Sequence, residues 1–184
     1  MKALFACLTL GLAALAAAPA HAQAQELDVP YVTTPQNVVD AMLELGGVKP
    51  GDTLLDLGSG DGRIVVTAAQ RHGVRGLGIE IDPRLVKLAR EKAQQGGVAD
   101  KAAFREQDLF TTDLGGYSVI TLYLLPDVNM KLRPALQKLK PGTRIVSHDW
   151  DMGDWAPDKV VIVPAPEKKI GLEKTSRLML WVVR

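Results

Sequence analysis

One cysteine and three histidines are all that 184 residues offer toward thiol or imidazole chemistry. A lone cysteine excludes an intrachain disulfide and any multi-cysteine metal site, and the histidines are too scattered for a metal cluster. Excess charge is missing too, since 22 Lys and Arg face 21 Asp and Glu. Without a basic surplus there is no argument for a polyanion, so nucleic acid is not expected as a partner. What the chain does have is 47% apolar and 23% charged residues, the balance of one globular domain with a sizeable core.

Part of that apolar content sits in one place. Lys2 precedes an uncharged run from Leu4 to Ala18, Pro19 breaks it, and Ala20-His21-Ala22 forms a small-x-small site before Gln23. This is the pattern of a secretory signal peptide cleaved after Ala22, and the run is short for a membrane span. Cys7 lies near the start of the run, not at its end where a lipoprotein needs it. The other readings are an uncleaved anchor or a retained segment. Cleavage predicts a domain of residues 23–184 with 21 basic and 21 acidic residues, no cysteine, and only His72 and His148. Such a chain is expected in the periplasm or outside the cell, with no stable membrane span, and in the cytoplasm if the signal is not used.

The remainder alternates short apolar runs with helical spacing. Thr34-Pro35 reads as an N-cap with proline at N1, followed by Val38, Val39, Met42, Leu43 and Leu45, and Gly46-Gly47 ends that helix. Strands are predicted at 53–57, 75–81, 102–107, 117–125 and 143–148. Helices are predicted from the glycine loop 58–62 to His72, from Pro83, and over 128–139. Two last strands, 159–163 and 177–183, are separated only by the Pro- and Lys-rich segment 164–176, too short for a crossover. The expected fold is α/β: a doubly wound, mostly parallel seven-stranded sheet with helices on both faces and a C-terminal antiparallel hairpin.

Three features fall at the carboxyl ends of the first three strands. Asp56-Leu57-Gly58-Ser59-Gly60-Asp61-Gly62-Arg63 supplies alternating glycines, which let backbone turn sharply and approach a ligand closely. Arg63 stands where a dinucleotide fingerprint needs its third glycine, which argues against an NAD-dependent oxidoreductase. Glu80 ends the second strand, placed to accept hydrogen bonds from two ribose hydroxyls, while Asp82 before Pro83 suits a helix N-cap. Asp108 follows the third strand and reads either as a receptor for an adenine amino group or as an acidic N-cap. Such a row lies along one crevice of an open sheet.

These residues resemble the class I S-adenosylmethionine-dependent methyltransferases from about Tyr31 to the C-terminus. LLDLGSGDGR is similar to that family's first motif, GIEIDP to its second, and QDLF to its adenine-contacting motif. The resemblance implies S-adenosylmethionine as donor, contacted by Tyr31, Asp56, Gly58, Ser59, Gly60, Gly62, Glu80, Ile81, Asp108 and Leu109. Three shorter pieces, Tyr31 to Pro35, Thr121 to Pro126 and Arg144 to Ser147, resemble a seven-β-strand protein-lysine methyltransferase group. Eukaryotic members of that group act on mitochondrial carrier and ATP synthase subunits. The implied acceptor is a protein lysine, with a small molecule as the alternative and an exported, non-catalytic binding protein as the reading from another class.

Transfer from a sulfonium needs no metal and depends on holding nucleophile and methyl carbon in line. A lysine must first lose a proton from an amine of pKa ~10.4. The segment Ser147-His148-Asp149-Trp150-Asp151-Met152-Gly153-Asp154-Trp155 gathers carboxylates and aromatic faces that suit a cationic amine. His148 is a candidate proton acceptor near neutral pH, Asp149 a candidate partner for the amine, and Tyr123 a candidate acceptor-side residue. The bland alternative is a solvated acidic loop whose tryptophans cover the core edge.

Overall fold

The computed structural model describes residues 31–169 and 173–184. The predicted signal segment, residues 1–22, lies outside the described residues. Along the described chain run α1 (Gln36–Leu45), β1 (Thr53–Leu57), α2 (Arg63–His72), β2 (Arg75–Glu80), α3 (Pro83–Gln95), β3 (Ala102–Glu106), a 3-10 turn at Leu109–Thr111, β4 (Val119–Leu122), α4 (Pro126–Leu136), β5 (Arg144–His148), β6 (Lys159–Pro164) and β7 (Thr175–Val182). No described helix is long and apolar enough to cross a membrane.

The strands form one seven-stranded sheet in the order β3-β2-β1-β4-β5-β7-β6. The first five pair in parallel, and β7 runs antiparallel to both β5 and β6. Side chains alternate across the pleat. Leu54, Val119 and Val146 face the layer of α1, α2 and α3, whereas Leu55, Leu57, Ile120 and Ile145 face α4. Burial of such a side chain stabilises by roughly 1.5–3 kcal/mol. On the α4 side the fully buried Trp181 donates its indole N–H to the Trp155 carbonyl at 2.8 Å. At the far end from the site, Arg144 donates to the carbonyls of Gly46 and Gly47 and pairs with Asp52, tying α1 to the sheet.

Three local expectations are revised. Pro35, not Thr34, is the N-cap of α1, because Thr34 is buried and its carbonyl accepts from Arg63 at 2.6 Å. The predicted strand 117–125 shortens to β4 because Leu125 becomes the N-cap of α4, with Pro126 at N1. That helix therefore starts before residue 128 and ends at Leu136, beyond which only turns continue to Leu139.

Candidate active site

β1 and β2 enter the site as neighbours in register, Asp56 opposite Gly78 and Leu57 opposite Ile79. Beyond them the chain turns through Gly58, Gly60 and Gly62, all with positive φ. The Gly58 and Ser59 N–H groups both bond the Ile79 carbonyl at 2.9 Å, so the turn is laced to β2. The result is a cleft, open to solvent, at the carboxyl ends of β1 to β4.

The predicted donor residues divide into two groups. Tyr31, Asp56, Gly58, Ser59, Gly60, Glu80, Ile81, Asp108 and Leu109 line the cleft together with Tyr123. Gly62 does not, and its reason for being glycine lies elsewhere. A Cβ there would come within 2.7 Å of Phe104 and Ala89, so Gly62 lets α2, α3 and β3 close on one another. At Gly60 an added Cβ would instead lie 2.8 Å from the Tyr31 ring, which covers the loop.

Glu80 is held by three backbone donors: Gly60 N–H at 2.8 Å on Oε2, and Ile81 and Asp82 N–H at 2.8 and 3.0 Å on Oε1. A carboxylate has about four lone-pair sites, so acceptor capacity is left on the cleft side for hydroxyl donors. Asp82 caps α3 as expected, accepting from Arg84 N–H. Asp108 caps the 3-10 turn through Phe110 N–H at 2.8 Å, the second of its two readings, and the residue also lines the cleft.

Asp56 is wholly buried on the cleft floor, where Thr121, its register partner on β4, donates at 2.7 Å. Burial pushes its carboxyl up to about 7; the Thr121 bond opposes this, and the nearby Glu80 and Asp61 charges add to it. Asp61 behaves oppositely. Burial raises it, but hydrogen bonds and charge from Arg63 and Lys92 prevail and hold it at about 2. Sequence reasoning missed both Asp61 and Arg63. Arg63 was visible only as a broken fingerprint, yet its guanidinium joins the glycine loop to the Thr34 carbonyl and so fixes the segment carrying Tyr31.

On the acceptor side the structure revises two residues. His148 is wholly buried rather than on the cleft wall, and desolvation lowers it to about 4 despite the Asp149 charge. It is therefore neutral near pH 7 and a weak proton acceptor, not a base poised there. The Asp149 carboxylate is already paired with Lys168 at 2.8 Å. Tyr123 does face the cleft; burial, with the Asp149 charge beside it, raises its phenol to about 12, so it stays protonated. Of the two tryptophans, Trp155 packs on the core at 5.9 Å from Trp181, while Trp150 is exposed.

The cleft walls thus carry four acids, Asp56, Asp61, Glu80 and Asp108, against one base, Arg63. Positive-φ glycines, a fixed carboxylate for hydroxyls and an acidic floor fit a cationic nucleoside. The family model for the ANTKMT methyltransferase domain matches residues 56–159, which contain this whole loop and floor. The chain belongs to the ANTKMT methyltransferase family.

Its similarity extends to known members. A protein-lysine N-methyltransferase of Saccharolobus islandicus is 42% identical over 137 residues, covering 73% of this chain and 85% of that protein. The adenine nucleotide translocase lysine N-methyltransferase of Mus musculus is 38% identical over 73% of this chain, which spans only 59% of the mouse enzyme. A crystal structure described as an RNA methyltransferase from Salinibacter ruber, in complex with S-adenosyl-L-homocysteine, shares 55% identity with a TM-score of 0.74. It covers 83% of this chain and 94% of its own. This ANTKMT-family chain is an S-adenosylmethionine-dependent methyltransferase. The donor supplies a methyl group on sulfonium. Glu80, Asp56 and Tyr31 line the cleft, and their chemistry would suit the ribose hydroxyls, the floor beneath the donor and its cover.

Proposed function

We propose that the methyl acceptor is the amine of a lysine in a polypeptide. The observation that carries this reading is the acidity of the cleft wall: Asp61 is neutralised by Arg63 and Lys92, while Glu80, Asp108 and, above about pH 7, Asp56 have no cationic partner among the described residues. Such a wall attracts an ammonium and repels a phosphate backbone. The lysine-modifying relatives at 42% and 38% identity support it. Proton loss then falls to desolvation of the amine against Tyr123, Leu124 and Val128, because His148 is neutral and buried and the Tyr123 phenol keeps its proton.

The test is transfer of labelled methyl from S-adenosylmethionine to a lysine-rich polypeptide and, in parallel, to RNA. Label is expected on lysine Nζ, at a rate that climbs with pH above 7 as the free amine becomes populated. Label confined to RNA, the acceptor class named for the Salinibacter ruber protein, would overturn the reading, as would a rate that levels off near pH 6.5.

We also propose that residues 1–22 are removed after Ala22 and that the enzyme works in the periplasm. The support is the sequence pattern of charge, apolar run and small-x-small site. Mass analysis of the native N-terminus checks it: a chain beginning at Gln23 is expected, and a cytosolic chain retaining residues 1–22 overturns it.

A further inference from the structure

Tyr123 is wired to a line of polar groups that donor binding does not use. Its ring stacks on His148 with centroids 3.8 Å apart and planes inclined at 27°. His148 meets Ser176 Oγ at 2.7 Å through Nε2, leaves Nδ1 without a partner, and lies 3.5 Å from Asp149 Oδ2. Asp149 is a non-glycine residue held at φ +62°, a conformation that side chains adopt reluctantly. It is fixed there by the Arg177 N–H at 3.1 Å on Oδ1 and by Lys168 at 2.8 Å on Oδ2.

Lys168 arrives from a distant part of the chain, the connection between β6 and β7. Its ammonium also donates to the Thr175 carbonyl at 2.7 Å. Its side chain is only 13% exposed, and Asp149's only 16%, so the pair is shielded from water and salt in a way that surface pairs are not. The remaining charged groups around it are accounted for. Tyr123 comes from the end of β4, His148 and Asp149 from the end of β5, and the Arg177 guanidinium on β7 turns to Asp151 at 3.7 Å. Among the described residues, Lys168 is therefore the cation that balances Asp149. Without it, an uncompensated carboxylate would face a buried imidazole and a phenol. The imidazole would recruit a proton, and the ring stacked on Tyr123 would become a cation.

We propose that Lys168 is a positioning residue for methyl transfer: by pinning the Asp149 carboxylate it sets the Tyr123 ring toward the acceptor and keeps His148 uncharged behind it. The inference rests on the reading that the acceptor enters beside Tyr123, and not on which acceptor it is. It also gives the antiparallel end of the sheet a task in the reaction, although that end lies outside the donor cleft.

The experiment compares K168M and K168R with the wild-type chain. It follows kcat and KM for the acceptor, donor affinity by calorimetry, and the imidazole titration by NMR, where His148 is distinguished from His21 and His72 by assignment with a His148→Gln variant. K168M is expected to lower kcat about tenfold, leave the donor Kd within about twofold, and raise the His148 titration by about one pH unit. K168R, which keeps the charge, is expected to restore most of kcat and the wild-type titration. Unchanged kcat in K168M overturns the proposal, and so does a donor affinity that falls in step with kcat, which marks a general structural role. Should K168M fail to fold, K168R decides: near wild-type kcat with an unmoved His148 titration supports the proposal, and lost kcat with that titration unmoved overturns it. A wild-type enzyme that methylates RNA instead of lysine counts against the lysine reading alone, since the variants are then compared on RNA.

Discussion

At the scale of single residues, Asp56 is the group whose protonation donor binding should feel. Its folded pKa, about 7, lies above that of an ordinary aspartate, so the unliganded fold holds a proton that the unfolded chain has already released. Asp56 costs nothing below about pH 4, and its cost to stability grows as pH rises to about 7, reaching on the order of 4 kcal/mol. A cationic donor reverses the preference, because it favours the charged carboxylate. Donor affinity measured by calorimetry should therefore increase from pH 5.5 to 8, and Asp56→Asn should flatten that profile while raising the melting temperature of the unliganded protein at pH 8. A flat wild-type profile would show that the floor carboxylate does not sense the donor. Glu80 gives a simpler expectation: Glu80→Ala removes the acceptor held by three backbone N–H groups, and donor binding should drop by at least tenfold, about 1.4 kcal/mol.

At the scale of elements, the glycine loop separates two jobs that sequence alone presents as one motif. Gly62→Ala forces a Cβ into Phe104 and Ala89 at φ +78°, so it should cost about 2–4 kcal/mol of stability, seen as a lower denaturant midpoint. Gly60→Ala meets only the half-exposed Tyr31 ring. Its φ of +52° adds about 1–2 kcal/mol of strain, so it should cost less stability than Gly62→Ala and weaken donor binding as well. If both variants shift stability alike, the division between packing and binding glycine is wrong. The alternation of strand and helix was legible because β1, β4 and β5 are short apolar runs bounded by Gly, Pro or Asp, and the closing hairpin because 164–176 is too short to cross over. What could not be read was long-range: Asp61 meets Lys92 from α3, and Asp149 meets Lys168 from beyond β6. Pairing across 31 and 19 positions leaves no periodicity, and a histidine next to aspartates looks the same whether it is buried or exposed.

At the scale of the whole molecule, the sheet has two unlike ends. The outer strand β6 leaves Val160 and Ile162 exposed at 43% and 59%, and among the described residues no strand pairs with it on the far side from β7. Ile162→Lys should leave the melting temperature nearly unchanged, within about 0.5 kcal/mol, and slow aggregation on heating as followed by light scattering. A clear loss of stability would mean that this edge is covered in solution. The charge of the cleft has a further consequence, for turnover. S-adenosylmethionine enters with a net positive charge, and S-adenosylhomocysteine leaves as a neutral thioether. The wall acids without a cationic partner among the described residues, Asp56, Glu80 and Asp108, should therefore hold the fresh donor more tightly than the spent one. The same electrostatics that gather the reactant release the product, so raising the salt concentration should narrow the gap between the two affinities.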